Sequence, residues 1–209
     1  WSFIVSLVKY NNNSISAVTS TAIPSGSLVP IKTLTASSSA TLSFVHGTDG
    51  VVLDSTYPIY KFSVINFHPS THNGRLEINF STDSGSNYNV TKTTTWVQYF
   101  HDEADTATAL QYDTGGDLAQ STSNQRLNEN VGNDSDECAV TDLTFFNPSS
   151  TTFVKHFIFK SASYFSGNYS NNWLGAGYCN TTSVIDAVRF SVNTGTFDGK
   201  IKLYGIKDS

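Results

Sequence analysis

Two acidic clusters carry the side chains best suited to chemistry. His101-Asp102-Glu103-Ala104-Asp105 and Asn133-Asp134-Ser135-Asp136-Glu137 each gather carboxylates in a polar stretch. Carboxylates grouped in a loop could ligate Ca²⁺, which takes about six to eight oxygens. Two of them roughly 5–10 Å apart across a cleft could hydrolyse a glycoside. The spacing fits no calcium loop of the twelve-residue kind, and the plain reading is a solvated acidic surface. The five histidines, His46, His68, His72, His101 and His156, are scattered. His68 and His72 are four apart, but Pro69 and Asn73-Gly74 make the segment a turn rather than a helix face that could share a metal. His156 alternates with large apolar residues and is expected to face solvent. Tyr164, Tyr169, Asn171, Asn172 and Trp173 suit carbohydrate recognition, since rings stack on sugar faces and amides bond hydroxyls; the plain alternative is aromatics tucked against the fold. The nucleophile elbow, the zinc-protease helix motif, the phosphate loop and the dinucleotide fingerprint are all missing. No catalytic, cofactor-binding or metal-ligating residue is therefore assigned, and the chain is read as non-enzymatic.

The elements that must position these groups alternate apolar and polar residues at period two, the signature of half-buried strands. Tyr60, Phe62 and Val64 share one parity, as do Leu76, Ile78 and Phe80. Trp96, Gln98 and Phe100 interleave with Val97 and Tyr99. Phe153, Phe157 and Phe159 interleave with Val154 and Ile158. Val184, Val188, Phe190 and Val192 form one face, and Ile201 and Leu203 the last such pair. Turn signals separate the runs: Gly47 to Gly50, His72 to Gly74, Asp83 to Gly85, Asn147-Pro148, Ser166 to Asn168, and Asp198-Gly199, where a tight hairpin is expected. About ten strands result. The best helix candidate, Ala104–Leu110, is Thr-laden and worth one turn at most. The expected fold is all-β, a two-sheet β-sandwich of jelly-roll type. Residues 1–40, with Pro24 and Pro30, read as an extended N-terminal arm or loosely paired edge segment. Residues 41–209 form one sandwich domain, with a long polar excursion at 101–137 and a polar, aromatic loop at 165–175. No repeat suggests a propeller or solenoid.

Composition narrows the function. Charged residues make 14% of the 209, against about 25% in an average domain, and the net charge is −5. That is too few and too mixed for a nucleic-acid binder, which wants a basic face. No apolar run approaches the roughly 18 residues of a membrane-spanning helix. Ser, Thr and Asn make 72 of the 209 residues, yet 13% aromatics argue against disorder. Cys138 and Cys179 sit in strand-like runs; they are either two thiols behaving as small hydrophobes or a cross-strand disulfide. Sequons at Asn12, Asn79, Asn89, Asn133, Asn168 and Asn180 matter only in a secretory pathway. The sequence opens on Trp1 and contains no Met, and Met is the expected native first residue.

Several tracts resemble uncharacterised structural proteins of marine tailed bacteriophages. They are Ser43–Asp49 (Ser-Phe-Val-His-Gly-Thr-Asp), Asp54–Phe62, Ile65–Pro69 (Ile-Asn-Phe-His-Pro), Tyr88–Thr95, Tyr99–Ala107, Tyr112–Gly115, Leu118–Thr122, Phe146–Thr152 and Phe197–Ile206. The ending Leu203-Tyr204-Gly205-Ile206 is similar to the last strand of phage fibre and decoration modules. The resemblance spans nearly the whole chain and implies a virion component, transferring no catalytic or binding residue. The expectation is a structural protein at the virion surface, a head decoration or capsid knob. The alternative is a tail fibre or tail-tip component that binds host-surface glycan. Expected partners are other virion proteins and further copies of the chain, a trimer first, with residues 1–40 reaching a neighbour. Nucleic acid and membrane are not expected partners.

Overall fold

A computed structural model describes residues 27–208. Twelve strands follow one another: β1 (Leu28–Ser39), β2 (Thr41–Val45), β3 (Ile59–Pro69), β4 (Leu76–Ser81), β5 (Lys92–Asp102), β6 (Thr108–Tyr112), β7 (Gln125–Arg126), β8 (Ala139–Phe146), β9 (Lys155–Phe165), β10 (Tyr169–Cys179), β11 (Ala187–Val192) and β12 (Phe197–Ile206). There is no helix among the described residues. An eight-stranded sheet in the order β1-β12-β3-β8-β9-β10-β5-β6 faces a four-stranded sheet in the order β2-β11-β4-β7, and every pairing is antiparallel. The expected all-β sandwich is thus present.

The pairing is nested. β1 pairs with β12, β2 with β11, β3 with β8 and β4 with β7. The remaining strands, β9, β10, β5 and β6, extend the larger sheet beyond β8. Alternation places the core as expected: Tyr60, Phe62 and Val64 of β3, Leu76, Ile78 and Phe80 of β4, and Ile201 and Leu203 of β12 are all buried. Aromatic rings join the two sheets. Phe44 and Phe190 of the smaller sheet meet Phe62 of the larger, with centroids 5.3 and 5.5 Å from it. Phe80 lies 5.0 Å from Phe145 and 5.2 Å from Phe157.

Two expectations gain detail and one changes. Residues 28–39 are the edge strand β1, as the edge-segment reading has it, paired to β12 with irregularities between Pro30 and Lys32 and between Ala36 and Ser39. The part of the expected arm before residue 27, and Trp1 with it, lies outside the described residues. The 101–137 excursion carries β6, which edges the larger sheet, and β7, which edges the smaller one, while Ala104–Leu110 is a turn leading into β6. Asp198-Gly199 is no hairpin. It lies within β12 opposite a bulge in β3, where Ile65 to His68 takes three steps against the two from Lys200 to Asp198 and Asn66 has φ 53°. Gly199 has φ 143°, and a Cβ there would lie 2.7 Å from the Asn66 carbonyl oxygen, so the β3 bulge needs a glycine opposite it. The bulge turns both Val64 and Phe67 into the core and leaves Ile65 and Asn66 outside.

Phe80 has rings from β8 and β9 against it, so its removal leaves a cavity between the sheets. Phe80→Ala is expected to cost about 3–5 kcal/mol in urea unfolding with an unchanged m-value. A loss below about 1 kcal/mol would show that the sheets are held elsewhere.

Candidate functional site

The acidic clusters fasten turns. Asp102 Oδ1 accepts the backbone N–H groups of Thr106 and Ala107 at 2.8 and 2.9 Å, and its Oδ2 accepts the Thr106 hydroxyl. These bonds, the Thr106 hydroxyl first, hold its carboxyl below the usual range. Buried Glu137 accepts the Asp134 N–H at 2.8 Å and lies over Gly132, where any Cβ would strike its carboxylate. Among the described residues, no three His, Cys, Asp or Glu side chains converge in a way that could hold a metal. The histidines make separate local contacts. His46 Nδ1 accepts the Leu53 N–H, His68 Nδ1 donates to the Glu137 carbonyl, His72 meets Asn133, His101 meets Asp105, and His156 faces solvent.

The 165–175 stretch is not a loop. It comprises the tight β9–β10 turn and most of β10. Inward parity buries Asn171 and Trp173, and Trp173 is only 1% exposed. Its indole stacks on Trp96 of β5 at 3.9 Å and 11°. Trp96 is covered in turn by Gly116, where a Cβ would lie 1.6 Å from the ring. Trp173 therefore presents no ring to a sugar, a correction to the sequence reading. A shallow recess of about 240 Å³ opens nearby. Phe100, Phe165 and Tyr169 form its walls, the rings meeting edge to face around Tyr169. Asn171 and Gln98 lie at its base, joined by a 2.9 Å bond from Gln98 Nε2 to Asn171 Oδ1.

A second cluster was not anticipated. Cys179 of β10 lies in register with Lys92 of β5 on one side and Lys155 of β9 on the other, and all three are buried. Lys92 Nζ donates to Asn79 Oδ1 and to the Val90 carbonyl, both at 2.7 Å. Lys155 Nζ donates to the Thr181 carbonyl at 3.1 Å. Among the described residues neither ammonium has a carboxylate within ion-pair distance. Burial pushes Lys92 down to about 8 and Lys155 below its ordinary value. It pushes the Cys179 thiol up to about 12 despite the two lysines. Parity held the signal: Lys155 shares a face with Phe157 and Phe159, and Lys92 with Trp96. No family model, curated protein or solved structure matches the chain.

Cys138 and Cys179 are both free, the first half-buried and the second fully buried. A thiol reagent at neutral pH is expected to modify one cysteine in the native protein and both in denaturant, without prior reduction. A second thiol that stays unreactive until reductant is added would indicate a disulfide.

Proposed function

We propose that the chain is a non-enzymatic structural protein exposed on a bacteriophage particle, a head decoration or capsid knob. The resemblance of its sequence tracts to phage structural proteins supports this reading, and one observation carries it structurally. The outer face of the larger sheet, uncovered by any described element, exposes Ile65, Val140, Ile158 and Leu174 across four adjacent strands, with Leu110 and Tyr112 on edge strand β6. Asp142 and Lys160 stand paired among them, and Lys61 ion-pairs with Asp142; apolar groups interspersed with charges in this way suit a neighbouring subunit that matches both. Among the described residues β1 and β6 edge the larger sheet, and their unpaired backbone groups also favour a neighbour or cover. The nested pairs, with β5, β6, β9 and β10 set aside, wind eight strands into two sheets of four, which favours the jelly-roll reading. Partners on this reading are other virion proteins and further copies of the chain, a trimer first, at the virion surface.

A tail fibre or tail-tip component binding host glycan is the second reading. The recess walled by Phe100, Phe165 and Tyr169 favours it, with an amide pair at its base.

Counting this chain in purified particles separates the two. Hundreds of copies per particle are expected for decoration, a few dozen at most for a tail part, and none in any particle rejects both. The paired changes Ile158→Asp and Leu174→Asp should leave a folded domain that no longer self-associates in light scattering. Tyr169→Ala should silence a glycan array only on the second reading.

A further inference from the structure

Lys92 and Asn79 pair across the sandwich, since β5 belongs to the larger sheet and β4 to the smaller. An amine and a carboxamide are partners for condensation when they are held together in a dry place. Lys92 Nζ stands 2.7 Å from Asn79 Oδ1. The amide carbon is about 1.2 Å beyond that oxygen, so Nζ lies no more than about 3.9 Å from Cγ. That is close to the separation of reacting atoms in near-attack conformers, about 3–3.5 Å. Neither side chain is more than 2% exposed, so water is kept away from both.

The amide is also fixed. Its Nδ2 donates to the Thr122 carbonyl at 3.0 Å and to Asn124 Oδ1 at 2.9 Å, and Asn124 is held in turn by Glu77 at 2.9 Å. Its Oδ1 accepts the Phe80 backbone N–H at 2.9 Å, a preformed donor for charge developing on that oxygen. Lys92 has only neutral acceptors, and burial draws its ammonium down to about 8. The neutral amine, the nucleophilic form, is therefore accessible close to neutral pH.

We propose that Lys92 and Asn79 form an autocatalytic isopeptide bond that staples the two sheets. Nζ attacks Cγ while the carbonyl electrons move to Oδ1, which is held by the Phe80 N–H. In the adduct one Nζ proton passes to Nδ2. The Cγ–Nδ2 bond then breaks, the carbonyl re-forms, and ammonia leaves. One N–C bond forms and one breaks, with no change in oxidation state and no co-reactant. The link closes a ring between positions 13 apart in the chain. It also consumes Asn79 of the buried Asn79-Phe80-Ser81 sequon.

The test is the intact mass of the purified full chain under denaturing conditions. The expected mass is that of the sequence less one ammonia, and fragmentation of a protease digest should yield one branched peptide containing both residues. Lys92→Met and Asn79→Ala should each restore the full mass of their own sequence. Wild-type protein at its full sequence mass overturns the proposal whether or not either variant folds. Loss of ammonia that persists in Lys92→Met also overturns it, because a different amide would then be the source.

Discussion

The sandwich depends on aromatic contact between its two sheets. The smaller sheet has only four strands, one of them two residues long, and it meets the larger through a few large rings. Phe80 against Phe145 and Phe157, and Phe44 and Phe190 against Phe62, supply the area that makes folding worth its entropy. A sheet with one polar face cannot stand alone in water, so each sheet needs the other to cover its apolar side. Where β10 and β5 carry Trp173 and Trp96, further cover is supplied locally. There Trp96 and Trp173 cover one another, and Gly116 closes over Trp96. The absence of a side chain at Gly116 is a packing requirement.

Much of this was legible in the alternation. The parity of Tyr60, Phe62 and Val64, and of Leu76, Ile78 and Phe80, assigns inner and outer faces correctly. Parity fails where the backbone skips a residue. The bulge at Asn66 brings Phe67 inward from the opposite parity, and Asp198-Gly199 imitates a hairpin turn while serving that bulge. β7 is too short to leave any period at all. Trp173 misleads because its neighbours are polar, although a strand with Asn171 facing inward beside it is still a strand.

The polar interior was harder to foresee. Lys92 and Lys155 lie on core faces, but a lysine in a strand reads by default as solvent-facing. What makes their burial tolerable is a set of neutral acceptors, Asn79 Oδ1 and the carbonyls of Val90 and Thr181, brought from loops and from the opposite sheet. Such partners come together only in the tertiary structure. The acidic clusters show the converse: residues with the look of a ligand set are spent on backbone N–H groups, as at Asp102.

The outermost of the nested pairs has a mechanical consequence. Leu28 opens β1 directly opposite Ile206, which closes β12. The chain therefore enters and leaves the sandwich at one corner, on neighbouring antiparallel strands. Tension applied between those two points would act across the ladder rather than along it. It would load one pair of hydrogen bonds at a time, peeling β1 away like a zip from Leu28 toward Ser39. A pull on one end against the opposite corner would instead load many rungs together. How firmly the molecule holds under drag thus depends on where it is gripped, and a grip at Leu28 and Ile206 loads the ladder one rung at a time.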